Sequence, residues 1–483
     1  MPKITRRSIL GGVGATVVMG SADLRLAAAK PSTTTDLTAD VCVVGAGFAG
    51  LTAAYRLQQA GASVIVLEAR NRIGGRSWTG KAPDGSWVDW GGQWVGKTQD
   101  RFYALIEEMG AKWYRSQGEG LKYVRRTLTP DRKLQQIGDN ADDPKPISAI
   151  YRQIDRLART IDPKAPWAHK DALRLDGVTF SQWLRQASDN EEVRRWAGVE
   201  IGSVPCASPQ EISILHLAWL IRSCNYINML FSFSGGAQQD RVIGGTQPVA
   251  QRVAAKLGDA VKLGEPVRRI EWRPRGAVVQ SDQISVAARH VIIAVPPHLA
   301  GAIEFEPTLP THRVQVTQRW AQGLVIKVSM VYSEPFWREA GLSGKSFDYT
   351  ALMSETADSS APPEHSRLGV LTGFVYADSA RKVSLLGAGE RKKTLLGEAA
   401  QRFGQKALEP MEYHESNWTM LQWTRGCFTG FLTPGATALF GSAVRDPVGP
   451  LHWAGTETAT EWPSFIEGAI RSGERAAAEI RKA

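Results

Sequence analysis

One short stretch, Val41 to Glu68, constrains this chain more than anything else in it. Val41-Cys42-Val43-Val44 is a short apolar run suited to a strand buried on both faces. Gly45-Ala46-Gly47-Phe48-Ala49-Gly50 follows, then Leu51 to Ala60 with helical spacing, and Gly61 where a helix C-cap belongs. Ser63 to Leu67 reads as a second strand, closed by Glu68. The pattern is β-α-β with G-x-G-x-x-G at the first turn. Its first glycine makes the turn, the second lets backbone approach a pyrophosphate, and the third lets helix and strand pack closely. An anion then sits at the helix N-terminus, where unpaired N–H groups and the dipole favour it. Glu68, eighteen residues after Gly50, can accept hydrogen bonds from ribose hydroxyls, which favours NAD or FAD over a 2′-phosphorylated dinucleotide.

Composition removes competing classes. At 483 residues, with 43% hydrophobic and 22% charged residues, the chain is a globular protein with room for one to three domains and a large core. Its four cysteines (Cys42, Cys206, Cys224, Cys427) contain no C-x-x-C pair, and its histidines show no H-E-x-x-H spacing, so no metal site is expected. No G-x-S-x-G elbow supports a serine hydrolase. The net charge of +10 is spread without a run of five basic residues, which argues against a nucleic-acid groove.

Residues 1–29 read as a twin-arginine export signal: a charged start with Arg6-Arg7, an uncharged stretch from Ser8 to Ala22, and Ala27-Ala28-Ala29 as cleavage site. The stretch is too glycine-rich to span a bilayer, and no run of eighteen apolar residues follows. The expectation is a soluble periplasmic protein without a membrane anchor.

Farther along, Gln210 to Ser223 and Val249 to Leu257 have helical spacing, and Val267 to Trp272, His290 to Val295 and Val325 to Val331 read as strands. Lys327 lies inside the last. An edge strand with alternating exposure and a functional amine facing a cavity both fit that placement. Gly91 to Thr98 matches the phosphate-loop pattern G-x-x-x-x-G-K-T, in which Lys97 would reach terminal phosphates and Thr98 a magnesium ion. No second strand ending in aspartate supports it; the nearest, Val370 to Asp378, is interrupted by Thr372 and Gly373. At the C-terminus, Leu451 to Gly455 is a short strand, and Phe465, Ile466, Ala469, Ile470, Gly473, Ala476, Ala477 and Ile480 share one helical face.

From about residue 38 to the end the chain resembles the flavin-dependent monoamine oxidase family. The resemblance rests on Leu67-Glu68-Ala69-Arg70-Asn71-Arg72-Ile73-Gly74-Gly75-Arg76, on Gly91 to Gly96, and on Ala454-Gly455-Thr456-Glu457-Thr458 through Ile466-Glu467-Gly468-Ala469. It implies an α/β fold: a Rossmann-like FAD-binding domain (38–115, 244–320 and 420–483) interleaved with a substrate domain of mixed sheet and helices (116–243 and 321–419). FAD is implied as cofactor, held by Gly45, Gly47, Phe48, Ala49, Gly50, Glu68, Ala69, Arg70, Gly75, Arg76, Gly92, Gln93, Trp94, Val267, Trp418, Cys427, Gly455 and Glu457. Arg76 would meet the pyrophosphate and the backbone of Val267 the adenine. Cys427 aligns with the cysteine that bonds covalently to flavin in mammalian members, although Thr424-Arg425 departs from their sequence before it. Lys327 matches the lysine that holds a water near flavin N5. Phe428 and Phe465 stand where two tyrosines sandwich the substrate amine; a phenyl face keeps most of that quadrupole.

The implied reaction is oxidative deamination of a primary, aromatic or otherwise apolar monoamine to aldehyde, ammonia and hydrogen peroxide, with oxygen or a periplasmic carrier as electron acceptor. An L-amino-acid oxidase would need a cation for the substrate carboxylate, for which Arg425 is a candidate. A polyamine oxidase would need a carboxylate in the pocket, and no motif places one. An FAD-stabilised binding module is the non-enzymatic alternative. A homodimer stays open.

Overall fold

The computed structural model describes residues 34–116, 121–138 and 141–482, so the expected export signal lies outside the described residues. Two large sheets organise the molecule. The first runs, in spatial order, Val261–Leu263, Val64–Glu68, Thr35–Val44, Ile284–Ile293, Gly276–Gln280, Arg269–Arg273, Glu304–Glu306, with Leu451–Trp453 joined to the end of Ile284–Ile293. Thr35–Val44 pairs in parallel with Val64–Glu68 on one side and Ile284–Ile293 on the other. Its last four residues and all of Val64–Glu68 are buried, as an apolar run covered on both faces requires. One face packs on the Phe48–Gln59 and Ile466–Ile480 helices through Val41, Val43, Leu51, Leu57, Val66 and Ile470. The other gathers Cys42, Val44, Ile65, Leu67, Val291 and Trp453.

The second sheet runs Glu412–Asn417, Val325–Tyr332, Gly369–Tyr376, Glu355–Asp358, Leu342–Phe347, Lys122–Arg126, Leu134–Ile137. Its faces are sorted by the two-residue period of a strand. Ile326, Val328, Met330 and Tyr332 pack on Leu395, Leu396 and Ala399 of the helix Ala388–Phe403. Val325, Lys327, Ser329 and Val331 therefore face the other way. The strand is interior and all eight of its residues are buried, so the edge-strand reading of Lys327 does not hold.

A helical layer between residues 145 and 231 covers one end of this sheet. The helix expected from Gln210 begins instead at Ile214, because the Ser213 hydroxyl caps it by accepting from His216 N–H at 3.1 Å. Among the described residues, no helix is long and apolar enough to cross a membrane, and no cluster of His, Cys, Asp or Glu could hold a metal ion.

Candidate active site

Where the first sheet meets the second, a cavity of about 370 Å³ opens. One end is the glycine turn. Gly45 adopts φ +104°, and a Cβ on Gly50 would come within 2.0 Å of Gly45 O, so only glycine lets the helix start this close to the strand. Gly50 thus packs helix to strand and is not on the cavity wall, whereas Gly45, Gly47, Phe48 and Ala49 are. No side chain caps the helix at Gly47, which leaves its first-turn N–H groups for a ligand anion. Gly75 closes over Gly47: a Cβ there would sit 3.2 Å from Gly47 Cα. Glu68 takes one backbone N–H on each carboxylate oxygen, Ala46 at 2.7 Å on Oε2 and Arg70 at 3.0 Å on Oε1, and keeps lone pairs for further donors.

Arg76 and Glu457 bridge the turn to the C-terminal segment. Arg76 Nη1 lies 2.7 Å from Glu457 Oε1 and donates to Phe428 O at 2.9 Å. Glu457 is buried behind the cavity wall and, apart from that ion pair, neither carboxylate oxygen has a hydrogen bond among the described residues. Arg70 donates to Trp423 O at 2.6 Å and to the Thr424 hydroxyl. Glu68, Ala69, Arg70, Arg76, Gly92, Gln93, Trp94, Val267 and Gly455 line this half, with Pro266 beside Val267. A glycine cradle without Cβ atoms, an uncapped helix start and the Glu68 carboxylate with lone pairs to spare fit a dinucleotide with ribose hydroxyls. The uncapped N-terminus of the Ile466–Ile480 helix faces the same cavity through Phe465, Ile466 and Ala469.

The other end is one row of the second sheet. Phe347, Glu355, Phe374 and Lys327 are successive cross-strand partners and so project from the same face, with Tyr376 opposite Val325 one row on. All six line the cavity. Trp418, Phe428 and Phe465 face them from the C-terminal segment, and Glu200, Ser203, Leu230, Phe231 and Phe233 come from the helical layer. The Lys327 amine donates to Asp89 O at 2.6 Å, Gly91 O at 2.7 Å and Gln93 Oε1 at 2.5 Å. Burial brings its pKa down to about 7, partly opposed by the Asp89 carboxylate. Gln93 is fixed in turn by its amide, which donates to Ser359 Oγ at 2.9 Å.

Two carboxylates and an amine on this wall escaped sequence reasoning. Burial raises the Glu200 carboxyl to about 7, against hydrogen bonds from Tyr151 and from Trp196 Nε1, the latter at 2.6 Å. Burial also raises Glu355, which accepts from Tyr376 at 3.2 Å and is drawn down by the charge of Lys345. All three sit in segments with no recognisable motif: Glu200 in the Glu191–Ser203 helix, Lys345 between Gly344 and Ser346, and Glu355 between Ser354 and Thr356, so nothing local marked them. Arg425 is exposed and off the wall, so the candidate carboxylate partner becomes Lys345. Cys427 is also off the wall: its sulfur receives the Thr429 N–H at 3.5 Å and lies beside Gly323 and Cys206.

The phosphate-loop reading fails on geometry. Lys97 and Thr98 are exposed, and the preceding strand Trp94–Val95 belongs to a small antiparallel sheet. The Gly369–Tyr376 strand sits in the other large sheet, and Asp378 pairs with Arg381.

Comparison with known proteins agrees with this geometry. A family model described as flavin containing amine oxidoreductase matches residues 48–481. The chain is 39% identical over 451 residues to a putative flavin-containing monoamine oxidase, AofH, of Mycobacterium tuberculosis, covering 92% of this chain and 96% of that one. It is 35% identical over 453 residues to an L-amino acid dehydrogenase of Synechocystis, covering 91% and 94%. The structure of wild-type putrescine oxidase bound to putrescine superposes with a TM-score of 0.88 at 38% identity, over 93% of this chain and all of that one. The chain belongs to the flavin-containing amine oxidoreductases, a family of FAD-dependent enzymes that oxidise amines.

Proposed function

We propose that the protein deaminates a primary amine oxidatively to an aldehyde and ammonia, with hydrogen peroxide as the reduced product of oxygen. The observation that carries this reading is the meeting of Lys327, Phe374, Phe428 and Phe465 around one cavity beside the glycine cradle. FAD, when bound, supplies the two-electron chemistry by accepting hydride equivalents from the amine α-carbon at N5. The cradle of Gly45, Gly47, Phe48 and Ala49 would hold its pyrophosphate, Glu68 a ribose, Pro266-Val267 the adenine, and the start of the Ile466–Ile480 helix the ring.

The chain's own residues do the rest. An ammonium entering this apolar space is penalised, so burial favours the neutral amine whose α-C–H bond can react. Phe428 and Phe465 present ring faces and edges that orient it. The Lys327 amine, poised near neutrality, can hold or release a proton at Nζ beside the reacting atoms. No side chain need act as nucleophile.

The aromatic walls suit an apolar monoamine. A second reading is favoured by Glu355 and Glu200, whose buried carboxyls would regain charge stabilisation from the distal ammonium of a diamine. Putrescine oxidase among the similar structures supports it. Anaerobic mixing of the holoprotein with phenylethylamine, putrescine and an L-amino acid separates the readings. Bleaching of the flavin band by phenylethylamine supports the monoamine, by putrescine alone the diamine, and by the amino acid alone a carboxylate held at Lys345. No bleaching with any amine rejects amine oxidation.

We also propose that the mature protein works in the periplasm after twin-arginine export, on the basis of residues 1–29. Cleavage after Ala29 in a periplasmic fraction tests this; full-length protein in the cytoplasm contradicts it.

A further inference from the structure

The face of the second sheet that carries Lys327 also carries a group of stranded polar atoms. Ser416 is the cross-strand partner of Lys327, and Thr372, Ser329 and His414 form the next row. Ser416 Oγ, Ser329 Oγ, Thr372 Oγ1 and His414 Nε2 are all buried, and none has a hydrogen-bond partner among the described residues. Ser329 and Thr372 are 1% and 0% exposed. Native interiors rarely strand such atoms and satisfy them with ordered water. Here four fall on two adjacent rows of one face. Neighbours across strands lie about 5 Å apart and successive same-face residues about 7 Å, spacings that single waters bridge.

This row opens into a second cavity of about 210 Å³, lined by Ser329, His414, Trp90, Val88, Val331, Lys81, Glu412 and Tyr413. Its volume accommodates several waters at about 30 Å³ each. Trp90 roofs it, its ring stacked on His414 at 4.2 Å. The residues on either side of Trp90, Asp89 and Gly91, offer the carbonyls that hold the Lys327 amine. The amine and this outer cavity are therefore separated by little more than one residue of backbone and the Ser416–Ser329 surface.

The proposed reaction needs such a connection. R–CH2–NH3+ + O2 → R–CH=NH2+ + H2O2 is proton-neutral overall, but its halves are not. Forming the neutral amine in the cavity releases one proton, and completing hydrogen peroxide takes one up. We propose that a file of water seated on Ser416, Ser329, Thr372 and His414 carries these protons between Lys327 and solvent at the Lys81–Glu412 mouth. The inference rests on the amine-oxidation reading. The groups facing the file are Lys327 at its inner end, His414 along it, and Lys81, Glu412 and Tyr413 at the mouth, with Glu415 next to His414. Burial lowers His414, against the pull of Glu415, so its ring can both accept and donate in a relay at neutral pH.

The test uses the holoprotein and two readouts. An atomic-resolution crystal structure should show ordered water on all four polar atoms in continuous hydrogen-bonding contact from Ser416 to the Lys81 mouth, and Ser329→Val should interrupt it. In single turnover with a pH-indicator dye, Ser329→Val and His414→Leu should leave the amplitude of anaerobic bleaching unchanged and slow proton uptake on oxygen admission by at least about tenfold. Ser416→Ala, the mildest change, covers the case in which the others misfold. A dry row in the crystal, or unchanged proton uptake in a folded variant, overturns the file. If no amine bleaches the flavin, the functional reading falls, and the crystal alone then decides whether the water is there.

Discussion

The two ends of the cavity are built by opposite means. The cofactor end is made of backbone: Gly45, Gly47, Gly50 and Gly75 bring main chain to main chain, and the donors that would meet phosphate are helix N–H groups. The substrate end is made of side chains that meet only through strand register, with Phe347, Glu355, Phe374 and Lys327 gathered from four strands. A backbone site tolerates no added atom, whereas a side-chain site can be retuned one residue at a time.

The largest effect is expected at the backbone end. Gly50→Ala places a Cβ 2.0 Å from Gly45 O, so helix and strand must part. The variant should be purified without flavin colour and lose stability, by about 1–3 kcal/mol if the helix can shift. A fully flavinated Gly50→Ala protein would show that the contact is dispensable. At the other end, Lys327→Met should keep its flavin and its anaerobic bleaching while reoxidation by oxygen slows roughly 100-fold, the lower range for a positioned proton donor.

The same lysine predicts a pH effect on folding. Its pKa falls from 10.5 to about 7 in the folded protein, because burial disfavours the ammonium even though all three of its N–H groups have acceptors. The stability that this contributes is present above the unfolded value and is lost as pH falls toward the folded one. Lys327→Met should therefore gain melting temperature relative to wild type as pH is lowered from about 10.5 to about 7. A constant difference across that window contradicts a neutral buried amine. A smaller and more selective effect is expected for Glu355→Gln: if the diamine reading holds, the KM for putrescine rises roughly tenfold or more, the cost of one charged contact, and that for phenylethylamine stays unchanged.

Legibility followed the same division. Val41 to Glu68 announced its own structure because strand, glycine turn, helix and acid lie in consecutive residues, and the observed elements fall there. Lys327 could be singled out but not oriented, since whether a strand is interior depends on Gly369–Tyr376 and Glu412–Asn417, which pair with it from afar. Glu200 and Glu355 were invisible for the same reason: Glu355 meets Phe374 only through strand pairing, and Glu200 reaches the cavity from a helix distant in sequence. Cys427 is a position where resemblance and packing point to different outcomes. It aligns with a flavin-linking cysteine, but its sulfur here lies beside Cys206, behind the wall. That direction predicts a denatured protein with the mass of the bare chain and FAD free in solution; a mass raised by one flavin would show that the side chain turns.

The most direct test of the central claim is a stoichiometric one. Under anaerobic conditions one equivalent of a bleaching amine per flavin should discharge the colour completely, and admitting oxygen should restore it with one equivalent each of aldehyde, ammonia and hydrogen peroxide. A flavin that stays oxidised with every amine, in a protein that still binds FAD, would contradict amine oxidation and leave only a cofactor-binding fold.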